Sequence, residues 1–259
     1  MLMRFYRVVY KFVLSRRYRV SIKGIELLKA KGGKLILPNH QSHIDPQVIA
    51  VESYKYSEIV PVVSERFFNI PVVKFFLRKW GAVSVSDFKA GNRDPNTLKN
   101  IFSQVTGALN KGKTVIIYPS GQLQDSGAEK IVNKQSVYKI VSSMPEGTQV
   151  IGLRIRGLWG SMFSKAWDGT RPSFLVVYLK GIFIFFSNLV FFCPKRDVTL
   201  EFVDITTDAK KQSLNDRRTF NTFLENFYNH DGIQDPSYIK HFFFSPKSKR
   251  KLPINIAKN

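Results

Sequence analysis

The sequence predicts an α/β fold: a mostly parallel sheet flanked by helices, with a basic amphipathic N-terminal helix and an apolar membrane-associating insertion. Three observations carry this. From residue 18 onward, short apolar runs of strand length alternate with helical patterns, which argues for a largely parallel sheet. The first residues set basic side chains between apolar ones at helical spacing. One stretch, Ser173 to Pro194, holds a single charged residue, Lys180.

The elements follow in chain order. Arg4, Arg7, Lys11 and Arg16 recur between Phe5, Val8, Val9, Phe12 and Val13, so residues 1–17 form an amphipathic helix. Such a helix either lies in a lipid headgroup layer or caps a domain with a solvated basic face. "YRVSIKG" reads as a strand, and "KLILP" as a short buried strand with a helix following from Pro46. "EIVPVVS" and "GAVSV" read as strands around a mostly helical "RFFNIPVVKFFLRKW". Asp94-Pro95 opens the next helix and Gly112 closes it. "KTVIIYP" is the clearest buried strand; a helix over Ile131 to Ser143 and a strand at "TQVIGLRIRG" follow. "RDVTLEFVD" is a strand and "DRRTFNTFLENFYNH" a late helix. These assign residues 18–230 to one domain that includes the apolar segment 173–194, with a basic, Pro-broken tail over 231–259. The apolar segment is about long enough to cross a bilayer. Gly181, Ser187 and Asn188 interrupt it, so a buried hairpin or core helix and a shallow insertion compete with a full crossing.

The charge balance narrows the partners. Forty Lys+Arg face 19 Asp+Glu, a net charge of +21 over 259 residues. A surface of this kind needs anionic company: nucleic acid, anionic lipid or an acidic carrier protein. The 22 phenylalanines lie mostly in apolar clusters rather than interleaved with basic residues as stacking platforms, which favours a membrane over nucleic acid. Helix-turn-helix, zinc and RNA-binding fingerprints are missing. The one cysteine, Cys193, rules out an intrachain disulfide or a CxxC pair and reads as packing. The N-terminus has no long apolar core or small-residue cleavage site, so a secretory signal is not expected.

"PNHQSHID", residues 38–45, concentrates two of the four histidines beside an aspartate. Three readings apply. His40, His43 and Asp45 could ligate a metal, but nothing else supplies obvious ligands, and no metal is expected. Asp45-Pro46 could be an N-cap with a first-turn proline, Ser42 making a local turn with the backbone of Ile44 or Asp45. His40 and Asp45 could be a general base and its orienting carboxylate. On one continuous helix, five residues are about 140° apart, so the pair could not meet. With His40 at a strand end and Asp45 capping the next helix, the turn can fold them together, beyond the carboxyl end of a strand where open α/β folds place ligands. His43 is most simply a turn residue.

At these residues the chain resembles the glycerolipid (PlsC-like) acyltransferases. "LILPNHQSHIDPQVI" looks like their first motif, with His40 and Asp45 in the His-x4-Asp positions. "VSIKGIELL" looks like the lead-in strand, and "SERFFNIPVVKFFLRKWGAVSV" resembles the second block. "TVIIYPSGQLQDSG" resembles the third, usually Phe-Pro-Glu-Gly-Thr-Arg, and "TQVIGLRIRG" the fourth. The likeness runs from about residue 18 to 204, in family order. It implies an O-acyltransferase of phospholipid biosynthesis, like 1-acylglycerol-3-phosphate acyltransferase. His40, oriented by Asp45, would deprotonate an acceptor hydroxyl that attacks an acyl thioester, acyl-CoA or acyl-ACP as co-substrate, with no bound cofactor and no covalent acyl-enzyme. The Gly121 turn is a candidate source of backbone N–H groups for the oxyanion.

The resemblance also implies candidate substrate-binding positions: Asn39, Ser42, Tyr118, Pro119, Ser120, Gly121 and Gln122. The chain departs from the pattern at several of them. Ser120, Gln122 and Leu123 stand where the third block has glutamate, threonine and arginine, and Ser86-Asp87 follow "GAVSV" where arginine is common. Charge-assisted contacts to a phosphate-bearing acceptor are therefore lost. Arg93, Lys130, Lys134, Arg154 and Arg156 are the candidates to supply them from another direction; Arg154 and Arg156 alternate with Leu153 and Ile155 and share one face of their strand. A looser likeness, in "YPSGQL", "NKQS" and "RIRGLWGSMFSKAWDG", is to the acyltransferase domains of 2-acylglycerophosphoethanolamine acyltransferase/acyl-ACP synthetase-like proteins. Trp159, Phe163 and Trp167 read as core aromatics or as an acyl wall. The acyl chain is expected along "FFNIPVVKFFL" or the 173–194 segment. The expected setting is the cytoplasmic side of a membrane, peripheral or monotopic, with membrane lipids as partners and acyl carrier protein as a candidate one. The altered third block leaves a competing expectation, a non-catalytic lipid-binding or carrier-docking module on the same fold.

Overall fold

The computed structural model describes residues 2–85 and 95–245. Ser86, Asp87 and Arg93, and the basic stretch from residue 246, lie outside them. Seven strands form one sheet: β1 Tyr18–Lys23, β2 Lys34–Pro38, β3 Ile59–Ser64, β4 Val83–Val85, β5 Thr114–Ile116, β6 Gln149–Arg156 and β7 Arg196–Asp204. Their order is β1-β7-β6-β2-β5-β3-β4. Every pair is parallel except β6 with β7. This is the mostly parallel, helix-flanked sheet the alternating pattern predicts.

β2 runs through the middle and is buried at all five positions. Its side chains divide between two apolar layers, as a central parallel strand requires. Ile36 enters the cluster with Ile151, Leu153 and Ile155 on one face, while Leu35 and Leu37 enter the cluster with Val115, Ile140 and Leu224 on the other. The second face is covered by α4 Pro95–Asn110, α5 Ser136–Ser142, α7 Thr206–Ser213 and α8 Arg217–Tyr228. α1 Leu2–Arg17, α2 Asp45–Ser53 and α6 Phe174–Ser187 contribute to the first. α3 Pro71–Lys79 precedes β4, and 3-10 turns occupy Glu65–Asn69 and Ile25–Lys29.

Two helices differ from expectation. The helix expected over 131–143 is only α5. Residues 131–134 instead form a loop tied to α8, with the Val132 N–H donating to Glu225 at 2.9 Å and Asn221 Nδ2 donating to the carbonyls of Val132 and Lys134. α7 has no counterpart in the sequence pattern, because "TTDAKKQS" buries only Ala209 and Ser213 and has no apolar stripe.

The segment 173–194 is the excursion between antiparallel β6 and β7. α6 has 14 residues, which at 1.5 Å each span about 21 Å against a hydrocarbon core of about 30 Å. No helix among the described residues is long and apolar enough to cross a membrane. Asn188 ends α6: its Nδ2 donates to Ile184 O at 2.7 Å and to His241 O at 2.8 Å, and its Oδ1 accepts the Phe243 N–H at 2.9 Å.

α1 docks through Leu14 and Tyr10 and through part of its basic face. Lys11 Nζ meets Glu52 of α2 at 2.6 Å, and the Arg7 guanidinium lies over the Tyr54 ring. The apolar residues Phe5, Val8, Val9 and Phe12 face outward, with Phe5 64% exposed. A domain cap with a solvated basic face is the opposite arrangement. Residues 231–245 lie along the body without regular structure: the Gln234 N–H donates to Gly127 O, and Ser237 N–H to Trp159 O, each at 3.0 Å. Gly127 (φ +73°) is obligatory there, since a Cβ would sit 2.3 Å from Gln234 O.

Candidate active site

The sheet delivers residue 40. β2 ends at Pro38, and Asn39 continues the ladder with its side chain. Asn39 Nδ2 donates to Ile155 O at 3.0 Å, and its Oδ1 accepts the Ile155 N–H at 2.7 Å. His40 therefore emerges beyond the carboxyl end of a central strand, between β5 and β6.

The turn then folds back. His40 Nδ1 lies 3.0 Å from Asp45 Oδ2. The same carboxylate oxygen accepts the N–H of Gln41 at 2.6 Å and of Ser42 at 2.9 Å, and Ser42 Oγ donates to Oδ1. Asp45 is fully buried. Here the sequence expectation is corrected. Asp45 does not cap α2; Ile44 occupies that position with no side-chain cap bond, and Asp45 is already helical. Its oxygens are turned back because four donors of the His40 turn converge on them.

With Asp45 accepting at Nδ1, the ring carries its proton there and leaves Nε2 with a lone pair, which is the arrangement of a general base. The His40 side chain is 15% exposed, so it is sheltered but reachable. Tyr118 stacks beside it, ring centroids 4.1 Å apart. The Tyr118 hydroxyl is buried and has no hydrogen-bond partner among the described residues. Burial, with Asp45 and Glu129 nearby, holds its pKa well above the usual tyrosine range, so it remains a donor.

The remaining predicted positions separate. Ser42 and Asn39 are buried and bonded to protein, so they shape the loop rather than face solvent. Pro119 and Ser120 are buried beneath the turn, Ser120 Oγ donating to Gln122 O at 3.0 Å. Gly121 (φ +62°) gives its own N–H to Tyr118 O, so that amide is occupied within the turn; Gly121 and Gln122 are exposed. Arg154 and Arg156 do share a face, and both find their anions within the protein. Arg154 bonds Glu201 at 2.8 Å over the Phe227 ring, and Arg156 pairs with Asp231. Lys130 and Lys134 are exposed in the loop tied to α8, and Arg93 is outside the described residues.

His43 turns away from the pair. Its N–H donates to Phe163 O, and its Nε2 lies 3.2 Å from Pro172 O. Burial, with His40 and Arg66 nearby, pushes its pKa down to about 4. Its ring meets Phe67 and Phe174, which are themselves 5.0 Å apart. The two segments expected to guide an acyl chain thus converge beside the His40 turn. Trp159 and Phe163 are core residues, while Trp167 stacks on His241. No group of three or more His, Cys, Asp or Glu among the described residues could hold a metal ion.

Two polar residues of the site carried no sequence signal. Gln41 Oε1 accepts the N–H groups of Leu158 and Trp159, and its Nε2 donates to Gln234 at 2.6 Å. Glu129, 1% exposed, accepts the His40 N–H at 3.0 Å.

The family model described as Acyltransferase matches residues 19–156, which is more than half of the chain and contains His40, Asp45, Tyr118 and Glu129. This chain belongs to the acyltransferase family. The enzyme class inferred from His40, Asp45 and the ordered blocks is thereby borne out. The acyltransferase is also similar in fold to the crystal structure of the 1-acyl-sn-glycerophosphate (LPA) acyltransferase PlsC from Thermotoga maritima, with a TM-score of 0.52 at 17% identity, covering 83% of this chain and 70% of that one. A comparison with curated protein sequences finds no match for the acyltransferase.

Proposed function

We propose that this acyltransferase moves a fatty acyl group from an acyl thioester, acyl-CoA or acyl-ACP, to a hydroxyl of a lysophospholipid or related glycerophospholipid at the cytoplasmic face of a membrane. The observation that carries the chemistry is the 3.0 Å contact from His40 Nδ1 to the buried Asp45 carboxylate. Nε2 takes the acceptor's hydroxyl proton as its oxygen attacks the thioester carbonyl. The tetrahedral intermediate collapses by breaking the C–S bond, and the thiolate recovers the proton from the imidazolium. An ester and a free thiol result, with no covalent enzyme intermediate. The unpartnered Tyr118 hydroxyl supports a donor role toward substrate oxygen at this site. The Phe67–Phe174 pair supports an acyl path beside it.

The membrane setting is supported by one continuous apolar face. α6 exposes Leu175, Val176, Leu179, Ile182, Phe183 and Phe186, all within an arc of about 120° at 100° per residue. Ring contacts join this stripe to Phe242 and Phe244, to Phe243 and Phe192, and join Phe191 to Phe12 of the outward face of α1. Exposed apolar patches this extensive mark interaction surfaces. Arg16, over both Phe12 and Phe191, and the net charge of +21 favour an anionic bilayer over a protein partner. On the flank of the stripe, a cavity of about 400 Å³ has Arg171 and Lys180 beside Asp168 in its lining, a net positive charge that suits an anionic headgroup.

The test is direct. Purified protein is incubated with labelled acyl-CoA or acyl-ACP and a panel of lysolipids, and products are identified by mass. Transfer is expected with the native chain and is lost in His40→Ala, which still binds vesicles. Transfer undiminished in His40→Ala would reject the assignment.

A further inference from the structure

Glu129 is a buried carboxylate that the proton-transfer steps do not use. It sits in a loop without regular structure, yet that loop grips His40 at both of its peptide groups. Glu129 Oε2 accepts the His40 N–H at 3.0 Å, and the Gln124 N–H donates to His40 O at 2.8 Å. Together with Asp45, this means that three successive N–H groups, of residues 40, 41 and 42, are each held by a buried carboxylate.

The loop is anchored in turn. The Glu129 N–H donates to Asn229 Oδ1, and Asn229 Nδ2 donates to Glu129 O, both at 2.8 Å, so the end of α8 fixes the peptide groups around residue 129. A carboxylate sealed here is poor design for stability alone. Its Oε1 has no hydrogen-bond partner among the described residues, and Asp45 and Glu225 repel its charge. Burial first, then those two charges, raises its pKa to about 7, against the steadying effect of the Ser120 hydroxyl and the His40 N–H.

Resting on the catalytic reading of His40, we propose that Glu129 is a positioning residue: its carboxylate fixes the His40 backbone, and hence the direction of the imidazole, from beside the serine that occupies position 120. The bond from His40 N–H to Glu129 Oε2 sets the backbone from one side, while Asp45 sets the ring from the other. Position 120 itself carries no carboxylate, and the one on His40 N–H comes through space from nine residues further along.

Three variants of the full chain test this, assayed for acyl transfer beside His40→Ala. Glu129→Met removes the acceptor and fills the volume; losing a carboxylate that is costly to bury offsets the unpaired His40 N–H, so the stability of the fold is expected to hold. Its kcat falls by about tenfold or more with KM nearly unchanged, since a misdirected base slows chemistry rather than binding. Glu129→Gln keeps an acceptor oxygen and recovers most of kcat. Ser120→Glu/Glu129→Met recovers part of it. The signature is a thermal midpoint that holds or rises while kcat drops, which a merely structural residue does not give. Unchanged kcat in Glu129→Met, or a loss of kcat that follows a loss of folded protein, overturns the proposal. If His40→Ala itself remains fully active, the catalytic reading fails instead, and the two failures are told apart.

Discussion

Asn39 and Ile155 meet as though they were ladder partners, although only one of them contributes backbone. The amide of Asn39 donates to Ile155 O and accepts from Ile155 N–H, at 3.0 and 2.7 Å. The side chain thus copies a peptide group and extends the β2–β6 pairing to the residue before the base. Asn39→Leu leaves two buried backbone groups unpaired, at about 1–3 kcal/mol each. We expect a stability loss of about 2 kcal/mol or more in urea titrations, and a fall in acyl transfer because the strand end no longer fixes His40. Asn39→Asp keeps the acceptor and loses the donor, so its loss is intermediate.

Two buried titratable groups beside the base act on stability in opposite directions. Glu129 is raised from 4.5 to about 7, so the folded protein holds a proton that the unfolded chain has released; its contribution is present below 4.5 and lost as pH rises to 7. His43 is lowered from 6.5 to about 4, so the unfolded chain takes up a proton that the folded one refuses; stability is lost as pH falls from 6.5 to 4. In the native chain the slopes largely cancel. Glu129→Gln should therefore become more stable from pH 5 to pH 7, and His43→Gln less stable, relative to the native chain. Denaturant midpoints at these two pH values check both signs, and parallel behaviour of the two variants would contradict the account.

Much of this fold was legible. Period-two and short apolar runs gave β1 to β7, and Asp94-Pro95 with Gly112 gave α4, because these depend on local pattern. α5 came out shorter than its pattern because Glu225 and Asn221, about 90 residues further along, hold its first residues in a loop. The His40–Asp45 pairing was legible from turn geometry, whereas the destination of the Asp45 carboxylate was not: an N-cap and a backward-facing acceptor have the same sequence. Glu129 was invisible for a related reason. A loop glutamate is ordinarily solvated, and nothing in the residues around position 129 marks this one as buried against the His40 turn.

Arg196 is expected to govern the C-terminal segment. Its guanidinium is buried and donates to Gly157 O at 2.7 Å, Gly160 O at 3.2 Å and Ser237 O at 2.6 Å, and burial lowers its pKa to about 10. It joins the loop after β6 to the segment that Gln41 also reaches through Gln234. Arg196→Met removes bonds of the charged kind, worth about 1.5–3 kcal/mol each before repacking. The expected result is a loss of about 3 kcal/mol and early proteolytic cleavage near residues 236–245. Arg196→Lys cannot span three carbonyls and rescues little.

The packing of α1 decides what its amphipathic pattern is for. Periodicity fixes that one face is apolar and says nothing about which face is covered. Lys11 on Glu52 and Arg7 over Tyr54 hold the basic face against α2 and its C-terminal residue, and so leave Phe5, Val8 and Phe12 outward. Leu14 and Tyr10 pack on the core, whereas Phe5, Val8, Val9 and Phe12 are left facing water, an exposure that another apolar phase would relieve. Burying one phenylalanine is worth about 1.5–3 kcal/mol. Phe12→Ser/Phe183→Ser, one change on each helix of the apolar face, should therefore weaken binding to anionic vesicles by about a hundredfold or more while the soluble fold is retained. Binding of the native chain should also fall with added salt, through its basic residues. Vesicle sedimentation across a lipid titration measures both. If the double variant binds as tightly as the native chain, the α1–α6 face is not the one that meets the membrane, and the reach of His40 to a membrane-borne acceptor must come from another side.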